Sequence, residues 1–167
     1  MNHKKLGTYK DKRNFSITSE PKATTHTRDH SKLSFVVQKH AASHLHYDFR
    51  LEMEGVLKSW AVPKGPSLNP EDKRLAVQTE DHPLAYQHFE GIIPAGQYGG
   101  GTVLIWDKGS YHSSKNSSLT EDYKKGHLVI TLKGKKLKGD FVLQRIKDGE
   151  KPQWLLIKLK GDHEDRK

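Results

Sequence analysis

The sequence predicts a mainly β fold, an antiparallel β-barrel or sandwich of about eight strands, with a few short helices and an N-terminal arm. Three observations lead there. The dominant hydrophobic period is two, the candidate strands are short and separated by glycine or proline turns, and helical periodicity is weak. Leu33-Ser34-Phe35-Val36-Val37-Gln38 is the first apolar, β-branched run. Residues 47–53 alternate strictly, Glu54-Gly55 forms a turn, and 56–62 returns as the partner strand, stopped by Pro63-Lys64-Gly65-Pro66. Further strands are predicted at 74–79, 102–107, 127–132, 138–146 and 152–159, with Gly134 and Gly139 marking tight turns. A single helical turn is expected within 41–45 and a short helix within 117–125, while Gly109–Ser118 reads as a polar loop. Residues 1–31 lack periodicity and read as an extended arm with local order near Phe15. The predicted organisation is an arm (1–31), a β domain (32–160) and a polar tail (161–167).

Composition narrows the class. The 167 residues suit one domain, and no run approaches the roughly 18 apolar residues of a membrane helix. There are no cysteines, which excludes disulfides, iron–sulfur clusters and thiolate zinc sites. The first residues lead into no apolar stretch, so the expectation is a cytoplasmic protein with no membrane partner. Basic residues number 29 and acidic ones 20, but unevenly. Residues 1–34 hold eight Lys or Arg against three Asp or Glu, and 108–167 hold fifteen against eight. The middle, 35–107, holds six against nine. Basic flanks suit a polyanion such as nucleic acid. An acidic centre in a basic chain suits carboxylates that hold a cation.

The densest chemistry lies in 38–52. In a strand, His46, Asp48, Arg50 and Glu52 share one face, while Tyr47, Phe49 and Leu51 share the other. A buried face of unpaired polar groups would be costly, so the first face calls for partners. His46 and Asp48 are good ligands for a divalent ion, and His40 lies six residues earlier, across a short connection. Two histidines and one carboxylate leave coordination positions open and suit manganese, iron, cobalt or zinc better than calcium or magnesium. The plainer reading is a solvated strand face with a His–Asp pair. Arg50 is placed either to fork onto a phosphate or to form a salt bridge with Asp48 or Glu52. His82, fixed by Pro83, is a candidate general acid or anion holder, and Tyr86 a candidate hydroxyl donor; a capped loop is the alternative. The glycine-dense 92–102 stretch is neither a P-loop nor a dinucleotide fingerprint, because a strand follows it and no helix does. Its glycines are expected to serve tight turns and close packing.

Together these residues resemble a known family. The runs Phe35–Glu52, Gly55–Ser67, Lys73–Val77, Glu80–Leu84, Phe89–Pro94 and Gly96–Val103 closely resemble the signature of the 3′-phosphoesterase domain of bacterial DNA ligase D. The resemblance is strong over 13–107 and holds in outline beyond. It implies a β-barrel, manganese-dependent DNA repair enzyme, here without ligase or polymerase regions. Such enzymes remove a 3′-terminal ribonucleotide from a primer–template and then the 3′-phosphate, leaving a 3′-hydroxyl. The implied metal ligands are His40, His46 and Asp48, for Mn²⁺ or alternatively Co²⁺ or Zn²⁺. The implied catalytic and phosphate-binding groups are Arg50, Arg74, His82 and Tyr86, with Gln38 and Lys64 as neighbours. From the arm, Arg13 and Glu20 match substrate-binding positions, but Asn14 stands where the family has Asp. The implied partners are a DNA primer–template and a separate ligase and polymerase. Two other classes fit parts of the pattern: a non-haem iron oxygenase, from the His-x-Asp pair, and a non-catalytic nucleic-acid-binding module.

Overall fold

The computed structural model describes residues 6–23 and 32–161. Nine strands form one antiparallel sheet: β1 (Leu33–Ala41), β2 (Leu45–Met53), β3 (Val56–Val62), β4 (Arg74–His82), β5 (Gly91–Ile93), β6 (Gly101–Ser113), β7 (His127–Gly134), β8 (Lys138–Lys147) and β9 (Gln153–Lys158). Their order is β1-β2-β3-β4-β9-β8-β7-β6-β5, and β1 also pairs with β6. That last pairing closes eight strands into a barrel, which leaves β5 as an extra strand on β6. Closure removes the open edges that would otherwise invite pairing with other chains. Two short helices, α1 (Gly7–Asp11) and α2 (Leu119–Lys125), and a 3₁₀ turn (Leu84–His88) complete the described residues. None of the helices is long and apolar enough to cross a membrane.

The barrel interior collects one phase of each strand. Phe49, Leu51 and Met53 from β2 and Trp60 and Val62 from β3 meet Phe141, Leu143, Trp154 and Leu156 in the main core. The other phase of β1 and β2 points outward. There a second cluster of Tyr9, Leu57, Leu84, Tyr86, Phe89, Ile93 and Val103 forms a layer over the barrel wall. The period-two alternation therefore reads correctly, but both faces are covered, one by the core and the other by the arm, the 3₁₀ turn and β5.

Several elements differ from the sequence expectation. No helical turn occupies 41–45: β1 runs to Ala41, and three residues join it to β2. The hairpin register places His40 directly opposite His46, which a helical turn would prevent. The strand β6 continues through Ser113, because residues 109–113 pair with β7 where a loop was expected. The arm contains α1, a five-residue helix too short to persist alone. It is held by Tyr9, which is fully buried against His82 and Tyr86. The helix at 119–125 forms as expected, with the Ser118 side chain accepting from the Glu121 amide and Gly126 closing it in the left-handed region. Glu54 and Gly55 both take positive φ, the turn geometry that a two-residue hairpin favours. The proposed tail falls, apart from Gly161, outside the described residues.

One buried carboxylate fixes the β7–β8 hairpin. Asp107 accepts from the amides of Lys108 and Lys135 on one oxygen and from those of Lys136 and Leu137 on the other. It is 4% exposed. Asp107→Ala is expected to lower the unfolding free energy by about 2–4 kcal/mol, since it leaves several amides without an acceptor. Urea denaturation checks this, and a loss below about 0.5 kcal/mol would show that water replaces the carboxylate.

Candidate active site

The β1–β2 hairpin builds the centre of the site. Its register sets Gln38 beside Asp48 and His40 beside His46, all on the outward face. His40 Nε2–H donates to the Gly99 carbonyl at 2.6 Å, which turns Nδ1 toward Asp48 Oδ2 at 3.4 Å. His46 Nδ1–H donates to the His44 carbonyl at 3.1 Å, which turns Nε2 toward Asp48 Oδ1 at 3.3 Å. The backbone thus fixes both tautomers and leaves two nitrogen lone pairs facing one carboxylate. One ligand atom from each residue lies within 4.8 Å of the others. Lone pairs facing a carboxylate repel unless a positive charge sits among them, so the donor set fits a divalent cation. Without the ion a proton serves: hydrogen bonding to Asp48 raises the His46 pKa against the effect of burial.

Arg50 joins this centre to the rest of the cavity. It is 3% exposed. Its Nε donates to Gln38 Oε1 at 2.7 Å, Nη1 lies 3.2 Å from His82 Nδ1, and Nη2 lies 3.5 Å from Asp48 Oδ2. Gln38 is itself anchored, donating to the Tyr86 and Phe89 carbonyls. Burial opposes ionisation of Asp48, but Arg50 and the two histidines hold its carboxyl far below the ordinary range. His82 goes the other way. Burial, then Arg50 and Arg13, push its pKa well below the usual imidazole value, so it is neutral near pH 7.

The arm supplies a second guanidinium. Arg13 Nε donates to Glu20 Oε2 at 2.9 Å, Nη1 reaches Glu80 Oε2 at 3.2 Å, and Nη2 lies 3.3 Å from His82 Nε2. Glu20 is buried and also accepts from Tyr86 Oη at 2.6 Å and Thr18 Oγ1 at 3.0 Å. The Tyr86 hydroxyl proton is therefore committed to Glu20. Tyr9 stacks on Arg13, whose guanidinium carbon lies 4.0 Å from the ring centre.

A cavity of about 270 Å³ brings together His40, His46, Asp48, Arg50, His82, Tyr86 and Arg13. Glu20 and Gln38 support it from behind. Three expected residues lie elsewhere. Asn14 is exposed, and its side chain accepts from the Ser16 amide and hydroxyl in a local turn. Arg74 and Lys64 line a separate hollow with Asp72, to which Arg74 Nη2 is 3.4 Å distant. Thr79, Glu80, Tyr98 and the Gly99 carbonyl belong to the site but were not assigned from sequence. A bulge explains two of them. Ser59 pairs with Thr79 and Leu57 with His82, so β4 carries one extra residue there. It turns Thr79, Glu80 and His82 toward the same cavity. The glycine-dense segment has the structural role expected of it: Gly101 packs its backbone on Ala41, where a Cβ would fall 2.2 Å from the carbonyl oxygen.

Comparison with known proteins agrees with this geometry. The model of the DNA ligase D 3′-phosphoesterase domain matches residues 38–145, which carry the three candidate ligands, Arg50 and His82. The chain belongs to the DNA ligase D 3′-phosphoesterase domain family. Its relatives include the multifunctional non-homologous end joining protein LigD of Pseudomonas aeruginosa, 51% identical over 159 residues. That alignment covers 94% of this chain and 19% of the relative. The LigD proteins of Mycobacterium tuberculosis H37Rv and Mycolicibacterium smegmatis are each 41% identical, covering 97% of this chain and 21% of theirs. The chain thus spans about a fifth of the length of these relatives.

Proposed function

We propose that this chain is a divalent-metal-dependent enzyme that heals nucleic-acid 3′ ends. It removes a 3′-terminal ribonucleotide and then the 3′-phosphate, leaving a 3′-hydroxyl on a primer–template. The observation that carries the reading is the pairing of two lone-pair-bearing histidines and Asp48 with two buried guanidiniums, Arg50 and Arg13, on one small cavity. An oxygenase would also use two histidines and a carboxylate, but it has no need of two arginines beside them; a phosphate does.

An ion held by His40, His46 and Asp48, manganese by the donor mix and family or else cobalt or zinc, would polarise a phosphoryl oxygen. The other groups act on the phosphate directly. Arg50 and Arg13 are preorganised to neutralise charge on its oxygens, because Gln38 and Glu20 fix their orientation. His82, neutral and within reach of both guanidiniums, is placed to accept a proton and to return it to the leaving oxygen once phosphate has offset the arginine charges. Tyr86 and Glu20 hold Arg13 and the cavity wall in place. The reading assigns Arg74, Lys64 and Asn14 no contact with the reacting phosphate. A DNA ligase would use the healed end.

The test is a 5′-labelled primer–template bearing one 3′-ribonucleotide, incubated with manganese, cobalt, zinc or chelator. The expected result is a product ending in phosphate and then one ending in hydroxyl, with metal only. Unchanged substrate under every metal would overturn the reading.

A further inference from the structure

The reacting end accounts for only the last phosphate of a nucleic-acid strand, and the rest of the strand must leave the cavity somewhere. One exit is built into the surface. A groove of about 600 Å³ adjoins the site, and Ala61, Thr79, Glu80 and Tyr98 line both. From there it runs between α1, the end of α2 and the β8–β9 turn. Its charged groups are Lys12, Lys124, Arg145 and Lys151 against Glu80 and Glu150. Glu80 engages Lys12 and Arg13, Arg145 pairs with Asp148 and the exposed Lys124 lies 3.8 Å from Glu121, and the lining itself carries four cations against two carboxylates.

Tyr98 stands at the junction. The residue is 46% exposed; the Lys12 ammonium lies over its ring at 4.3 Å and the Arg13 guanidinium carbon at 5.4 Å, and Lys12 also donates to its hydroxyl. The neighbouring Gly99 holds His40, so the loop that orients a metal ligand also presents this ring. A half-exposed tyrosine among cations is a combination that binds single-stranded nucleic acid, by stacking bases and tracking phosphates.

We propose that the strand leading to the reactive 3′ end leaves the cavity past Tyr98 and follows this groove. The base next to the reacting phosphate stacks on Tyr98, and the phosphates before it face Lys12, Lys124, Arg145 and Lys151. The proposal rests on the end-healing reading, because it takes the cavity as the seat of the terminal phosphate. It adds the path and polarity of the strand, and it makes Tyr98 a positioning residue.

The experiment measures binding of fluorescently labelled 3′-phosphorylated DNA oligonucleotides of increasing length by anisotropy, with chelator present and no turnover. Affinity is expected to rise with each of the first few nucleotides. Lys124→Ala/Lys151→Ala should make the slope of log affinity against log salt shallower by roughly 1 to 1.5, from about 0.7 per phosphate contact. Tyr98→Ala should weaken binding roughly tenfold, and Tyr98→Phe should restore it, because stacking needs the ring and not the hydroxyl. Lys136→Ala/Lys160→Ala probes the lysine-rich β7–β9 face. Loss in that pair with none in the groove pair would overturn the path, and so would equal loss in both. Affinity independent of length would overturn it too. Because binding is read without metal, a chain that releases no phosphate can still pass or fail here, and the two readings fall separately.

Discussion

His40→Ala is expected to reduce kcat/KM for release of a 3′-phosphate by at least about a thousandfold, or ~4 kcal/mol of transition-state stabilisation, with the fold retained. His40 sits at the end of β1, where its side chain touches only Gly99, His46 and Asp48 among polar partners. Its loss removes one of three ligands without opening the barrel core. Asp48→Asn should be equally inactive but less stable, because it leaves Arg50 facing a neutral amide in a buried place. Manganese titration by calorimetry should show weakened binding in both variants, by tenfold or more. Near-normal turnover of His40→Ala in excess manganese would sink the ligand assignment. Loss of turnover with unchanged manganese affinity would sink it as well.

How far the sequence carries toward this site depends on what kind of interaction holds each residue. Residues on the β1–β2 hairpin were legible, because strict alternation separates Asp48 and Arg50 from Phe49 and Leu51. The antiparallel β architecture was legible for the same reason, while its closure into a barrel was implied by the family resemblance. The glycines that allow close approach of β6 to β1 were also readable as structural. What escaped depends on irregularity or on distant contacts. The bulge in β4 shifts the phase of the strand, so Glu80 and His82 reach the cavity together, and no local pattern announces it. Before the bulge, Arg74 is in phase with Ala76, which faces the barrel core. Val77 and Thr79 are in the other phase and face the groove, which Gln78 also lines. Arg74 itself lines a hollow with Lys64 and Asp72, and not the cavity where the family resemblance would place it. Tyr9 and α1 were missed because a five-residue helix has no periodicity to read. It exists through its contacts with His82 and Tyr86. The Gly99 carbonyl that orients His40 is a backbone group, and side-chain motifs do not report it.

The second large effect belongs to Arg50. Arg50→Ala is expected to abolish phosphate release and to destabilise the fold by about 3–5 kcal/mol, the cost of leaving a buried partner charge alone. The partner is Asp48, whose ionised state depends on Arg50 against the penalty of burial. A distinct signature separates this role from a packing role. In the parent, burial, Arg50 and Arg13 keep His82 neutral, so the folded state binds fewer protons than the unfolded one below about pH 6.5. Stability from this group is then full above that pH and is lost as pH falls toward the depressed folded value. Removing Arg50 withdraws one of the two cations, so the His82 pKa should rise and the acid-side loss should shrink, an effect visible in its imidazole NMR titration. Arg50→Lys keeps the charge but cannot span Gln38, His82 and Asp48 at once. It should therefore keep His82 depressed while losing most of the activity. If Arg50→Lys were fully active, charge alone would suffice and the fixed guanidinium geometry would have no part in catalysis. An unchanged His82 titration in Arg50→Ala would show that burial and Arg13 alone set its state.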